Sequence, residues 1–168
     1  MVLEIPGGLF GQNDVRETEI GVTVAIGDFC SIYKYAGNQF LTNDAEVAIT
    51  FDGEISDVKN LHDPSTNNER INVGQGTYLV TASILWTCPN DSLRVVFRLY
   101  QGALEIQRKD TDSDPSIIQE FETTITEIVK VDAASTYFKL TCEPDISNSM
   151  DLLGGAIYQT KFSVMRLK

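Results

Sequence analysis

The segment Gly76-Thr-Tyr-Leu-Val-Thr-Ala-Ser-Ile-Leu-Trp86 decides the fold. Tyr78, Val80, Ala82, Ile84 and Trp86 fall on one side of it, and Leu79, Thr81, Ser83 and Leu85 on the other. A period of two marks a strand with one face in the core, and here the second face is mixed rather than polar. Upstream, Ser31 to Phe51 is close to alternating, with Val47, Ile49 and Phe51 opposed to Glu46, Ala48 and Thr50. Between the two, Ser56 to Arg70 is rich in Asp, Asn and Ser and reads as a polar loop.

Downstream the same period continues. Arg94 to Tyr100 places Val95, Phe97 and Leu99 inward, and Gln101-Gly102 offers a turn into Leu104 to Arg108, so Ser92 to Arg108 reads as a hairpin. Asp110-Thr-Asp-Ser-Asp-Pro-Ser116 is a loop, Phe121 to Val131 a β-branched strand, and Thr136 to Cys142 a strand burying Phe138, Leu140 and Cys142. Glu143 to Gly155 reads as a second long loop, and a last strand lies within Ala156 to Lys168. No helix-length window repeats apolar residues at three and four, so the reading is all-β: an antiparallel two-sheet jelly-roll sandwich over residues 30–168. Residues 1–29 read as an extended N-terminal arm, because Pro6 and glycines 7, 8 and 11 interrupt regular structure. Val2, Leu3, Ile5, Leu9 and Phe10 give that arm apolar contacts to offer, which a solvated tail would not need.

Composition narrows the function classes. The 168 residues suit one core, and 13 Lys plus Arg against 24 Asp plus Glu give a formal charge of −11. A surface this acidic repels phosphate backbones, so no nucleic-acid partner is expected. No apolar run approaches the roughly 18 residues that span a bilayer, and no secretory signal is evident at the start, so no membrane partner is expected either. Cys30, Cys88 and Cys142 are odd in number and widely spaced, which fits reduced thiols in a compartment such as a bacterial cytoplasm.

Catalytic chemistry finds no foothold. The single histidine, His62, adjoins Asp63, but sequence neighbours rarely face one another and no nucleophile elbow is present, so it reads as a surface histidine. Cysteines more than fifty residues apart do not make a zinc site. Asp110, Asp112 and Asp114 imitate a calcium loop, but Pro115 replaces the required Gly and Phe121 the bidentate Glu. The expectation is no enzyme, no metal and no cofactor.

The landmarks Phe51-Asp-Gly-Glu-Ile-Ser-Asp57, Leu61-His-Asp63, Ser65-Thr-Asn-Asn-Glu-Arg-Ile71 and Gly76 to Ser83 follow one another in an order that resembles the tumour necrosis factor and complement globular-head jelly rolls. The likeness is strongest to the versions found in tailed-phage virion proteins. Arg98-Leu-Tyr-Gln-Gly102, Val131 to Leu140 and Phe162-Ser-Val-Met-Arg-Leu167 continue the match, although Ala134-Ser135 stands where the family usually has Gly-Asp, and residues 1–29 match nothing in it. The resemblance implies a homotrimer whose interface holds Leu79, Thr81, Ser83, Lys161, Ser163, Met165 and Leu167. It further implies a structural virion protein assembled in the bacterial host cytoplasm, most simply a capsid decoration (cement) protein. Its arm would bind the major capsid protein or other virion proteins. The alternative is a receptor-binding tip or head-fibre knob that contacts the host through its loops.

Overall fold

The computed structural model describes residues 15–17, 23–25, 28–41, 45–87, 94–112, 120–145, 150–155 and 160–167. Its strands are β1 (Val15–Glu17), β2 (Thr23–Ala25), β3 (Phe29–Tyr33), β4 (Gln39–Leu41), β5 (Val47–Ala48), β6 (Gly53–Asp57), β7 (His62–Asp63), β8 (Asn67–Val73), β9 (Gly76–Thr87), β10 (Arg94–Gln101), β11 (Leu104–Asp112), β12 (Glu120–Val131), β13 (Thr136–Asp145), β14 (Met150–Leu152) and β15 (Lys161–Arg166). All described pairings are antiparallel.

The decisive segment is the spine of a seven-stranded sheet. β12 runs along the whole of β9 on one side, Glu120 opposite Thr87 and Val131 opposite Gly76. On the other side β15 pairs with Tyr78–Ser83 and β14 with Trp86 and Thr87, so the two share one column. β3 and then β6 continue outward from β15, and β4 from β14. The second sheet runs β11-β10-β13-β8-β7, with β5 also beside β13.

The core lies between these sheets. Tyr78, Val80, Ile84 and Trp86 of β9 are fully buried against Phe97 and Leu99 of β10 and Phe138, Leu140 and Cys142 of β13. Aromatic pairs bridge the layers, with ring centroids 5.9 Å apart for Tyr78–Phe138 and 6.1 Å for Trp86–Phe97. Each such side chain contributes about 1.5–3 kcal/mol by leaving water, which is why the alternation is so regular here. The polar ends are satisfied: Trp86 Nε1–H donates to Thr123 Oγ1 at 3.1 Å and the Tyr78 hydroxyl to Gly74 O at 3.0 Å.

Two expected loops are strands in large part. Ser56 to Arg70 contains the end of β6, all of β7 and half of β8. Its Asp residues fold it tightly rather than loosening it. Asp57 accepts the Leu61 and His62 N–H groups at 2.8 and 2.9 Å, Asp63 accepts those of Ser65 and Thr66 at 2.9 and 3.1 Å, and Asn60 takes φ +53°. This crossing carries the chain from the edge of one sheet to the edge of the other. Glu143 to Gly155 likewise holds the end of β13 and all of β14, where Met150 and Leu152 are fully buried.

Within the segment read as an extended arm, β1 and β2 form a short antiparallel pair, Val15 opposite Ala25 and Glu17 opposite Thr23. The apolar arm residues Val2, Leu3, Ile5, Leu9 and Phe10 lie outside the described residues. Where the chain enters the sandwich, Asp28 is bolted down. Its carboxylate pairs with Lys59 at 2.6 Å and Arg166 at 3.4 Å, and its carbonyl accepts the Arg166 N–H at 2.8 Å.

A candidate self-association face

The outward face of the seven-stranded sheet is built of rungs set by strand register. Ile128 lies opposite Leu79, Leu79 opposite Met165, and Met165 opposite Phe29. Val58 extends this rung, its N–H donating to Phe29 O at 3.1 Å. The result is five apolar side chains in a row, with Ile128 66% and Val58 52% exposed.

The next rung inward from the Asp28 pole is made only of hydroxyls: Thr126, Thr81, Ser163, Ser31 and Ser56. Ser31 Oγ and Ser163 Oγ are 2.7 Å apart, so neighbouring hydroxyls bond sideways along the rung. The third rung is Thr124, Ser83, Lys161, Tyr33 and Gly53. Tyr33 lies flat over Gly53, where an added Cβ would meet its ring at 2.5 Å. Above it, Ser83 Oγ donates to Glu122 Oε1 at 2.7 Å.

Six of the seven residues predicted for an interface are therefore cross-strand neighbours: Leu79 with Met165, Thr81 with Ser163, and Ser83 with Lys161. Leu167 lies just past β15, 44% exposed, its N–H donating to Thr77 O at 2.7 Å. Ile128, Thr126 and Thr124 of β12, Phe29 of β3 and Val58 were missing from the prediction. The β12 signal was present in the alternation of Glu122, Thr124, Thr126 and Ile128 with the inward-facing Thr123 and Ile125. What no local pattern gives is that β12 lies beside β9.

A flat face of this kind is large enough to bind. Five strands about 4.8 Å apart, two of them twelve residues long and three of five or six, span roughly 600 Å2, which approaches the share per partner of a stable interface. Three rungs of apolar groups, hydroxyls and one lysine form an unusual outer face for a chain carrying −11.

Elsewhere the chemistry is structural. His62 is not a surface residue: its side chain is fully buried between the sheet edges, Nδ1 3.0 Å from Glu54 Oε1. The loop context hid this, because the crossing turns the ring inward opposite Ile71. Asp110 is held by Arg94 at 2.9 Å and Arg108 at 3.0 Å, and both cations keep its carboxyl below the usual range. Among the described residues no group of three His, Cys, Asp or Glu is placed to hold a metal. Cys30 and Cys142 are free, buried thiols, pushed well up by burial and nearby carboxylates, while Cys88 lies outside the described residues.

No family model matches the sequence, and no curated protein sequence does. Solved structures do match. The chain is similar to Eiger TNF from S. frugiperda (TM-score 0.59, 14% identity, covering 84% of this chain and 92% of that one). It is similar also to murine APRIL (TM-score 0.56, 8% identity, 83% and 98% covered) and to the globular domain of zebrafish complement 1qA (TM-score 0.54, 9% identity, 84% and 98% covered). Nothing in these likenesses ties the chain to tailed-phage virion proteins, so that half of the resemblance rests on the sequence landmarks. What the likenesses establish is the fold: this chain is an antiparallel jelly roll of the kind shared by TNF-type and complement globular-head domains.

Proposed function

We propose that this chain is a non-enzymatic structural protein that forms a homotrimer through the outer face of its seven-stranded sheet. We further propose that it serves as a capsid decoration protein of a tailed phage, held by its N-terminal arm. One observation carries the reading: an apolar rung of Ile128, Leu79, Met165, Phe29 and Val58 beside a hydroxyl rung, both facing away from the core. A second copy seated there would bury the apolar rung, and the hydroxyls would meet a partner without stranding charge. The setting is supported by the resemblance of the sequence landmarks to the jelly rolls of tailed-phage virion proteins. Repetition on a lattice would turn a modest arm contact into tight attachment.

Light scattering on Leu79→Asp and Ile128→Asp tests the assembly. Both are expected to give folded monomers, and an unchanged mass for both would remove this face from any interface. Binding to capsids that lack the protein tests the setting, with the chain lacking residues 1–27 expected to stay trimeric and lose binding.

A receptor-binding tip is the second reading, favoured by exposed aromatics at the pole opposite Asp28. Tyr35 is 57% and Phe40 63% exposed. Asp52 clamps the Tyr35 loop by accepting the N–H groups of Tyr35 and Ala36. Binding to host cells with capsids left untouched would select this reading over decoration.

A further inference from the structure

The outer face of the second sheet holds two cations side by side. Arg70 of β8 and Lys139 of β13 are directly opposite in register. Both side chains alternate away from the buried Ile71, Phe138 and Leu140, and both residues are half-buried. Like-charged residues directly opposite across two strands have Cβ atoms about 5 Å apart, and such pairs destabilise the pairing. In a chain with 24 acidic residues, a carboxylate beside each would be easy to supply.

None is supplied. Neither Arg70 nor Lys139 takes part in an ion pair among the described residues. Instead each lies against an aromatic ring. Arg70 Cζ is 4.8 Å from the Tyr137 ring centre and Lys139 Nζ is 5.1 Å from that of Tyr100. The Arg70 Nε–H is buried and has no acceptor. Glu46, the carboxylate whose field reaches Lys139, is committed to Arg98 at 3.5 Å and to the Tyr100 hydroxyl. Glu105, opposite Tyr100, is committed to Arg98 at 3.3 Å.

We propose that Arg70 and Lys139, walled by Tyr137 and Tyr100, form a binding site for a single oxyanion group: a carboxylate, sulfate or phosphate. An oxyanion between the two cations would cancel their repulsion and accept charge-assisted hydrogen bonds from both. The rings hold the cations in place before the ligand arrives, which reduces the ordering cost. The site is on the sheet opposite the self-association face, so it stands whether or not that face assembles.

The probe is sodium sulfate on the full chain, against sodium chloride of equal ionic strength. At a sulfate concentration about tenfold above its dissociation constant, linkage predicts a Tm rise of about 3–5 °C for a domain of this size. Sulfate also stabilises proteins generally, so the comparison is with Lys139→Gln and Arg70→Gln, which keep that general effect and lose the specific rise. The Arg70 Nε–H resonance is expected to shift with sulfate, and phosphate or acetate to compete. An equal sulfate gain in wild type and Lys139→Gln, an unmoved Arg70 resonance, or sulfate binding that neither competitor displaces would each overturn the proposal.

Discussion

Replacing Lys34 by methionine is expected to stabilise the protein. Lys34 is 6% exposed, and its ammonium reaches Thr50 Oγ1 only over a long 3.4 Å. Asp52 is the nearby counter-charge, but its two oxygens already accept the Tyr35 and Ala36 N–H groups, which would keep it satisfied if the ammonium were removed. Burial lowers the Lys34 pKa, and the Asp52 charge only partly opposes it. Replacing a buried ion pair by apolar side chains of similar volume often gains about 1–4 kcal/mol, and the penalty for leaving one partner behind is absent here because Asp52 keeps both backbone donors. Subtracting roughly 1 kcal/mol for the lost hydrogen bond and the Asp52 attraction leaves about 0–3 kcal/mol at pH 7, centred at about 1.5 kcal/mol. For a chain of this length the central value is a Tm rise of about 3–6 °C. The sign with pH follows from proton binding. Between the lowered folded value and the unfolded value near about 10.4, the unfolded chain holds more protons, so wild-type stability rises with pH. The advantage of Lys34→Met should therefore be full at pH 7 and shrink toward pH 10. Urea denaturation at both values measures it. A variant less stable than wild type by more than about 1 kcal/mol at pH 7, or a gain that does not change with pH, would refute the reasoning.

Other outcomes follow from the same structure. Arg98, with a side chain only 10% exposed, meets Glu143 at 2.5 Å, Glu105 at 3.3 Å and Glu46 at 3.5 Å. Arg98→Met is expected to cost about 2 kcal/mol at pH 7, below the figure for a wholly buried pair because the carboxylates are a third or more exposed. Burial pushes the Glu46 carboxyl up, but hydrogen bonds from Thr141 and Tyr100 and the charges of Arg98 and Lys139 outweigh it and hold it low. That stabilisation is present above the ordinary Glu value and disappears as pH falls through the lowered one, so acid melts should separate wild type from Arg98→Met less at pH 3 than at pH 7. Iodoacetamide under native conditions should leave Cys30 and Cys142 unmodified, with labelling only on global unfolding; rapid native labelling of either in a peptide map would show the sandwich to be more open than described. Gly53→Val should displace Tyr33 and lower Tm by several degrees, whereas Tyr33→Ala, Gly53→Val together should recover part of the loss.

The alternating strands were legible because their burial is one-sided. β9 and β12 carry the period of two that the core imposes, β10 and β13 keep it on the core side although Val96, Arg98 and Thr141 are buried on the other, and the structure places Tyr78, Val80, Phe97 and Phe138 where that period puts them. Ser56 to Arg70 was misread for a physical reason. Its Asp57 and Asp63 side chains bond to nearby backbone N–H groups, a chemistry shared by open loops and by tight crossings between sheet edges. His62 was lost with it, since one residue in a polar context gives no hint that the turn aims it inward. The candidate face was half legible. Leu79 and Met165 announced themselves as apolar residues on the wrong side of a strand, while the rung they share with Ile128, Phe29 and Val58 exists only through pairings between strands far apart in sequence.

The Asp28 node has a practical corollary. Because the Arg166 N–H bonds to Asp28 O and Leu167 to Thr77 O, the first and last strands of the sandwich end side by side at one pole. A short linker from Leu167 to Asp28 should thus permit circular permutation, with new termini opened in the turn at Gly102. Fusion partners joined directly at Asp28 or Leu167 would hang from that same pole and leave the Tyr35 pole clear, so the sandwich of residues 28–167 lends itself to oriented display.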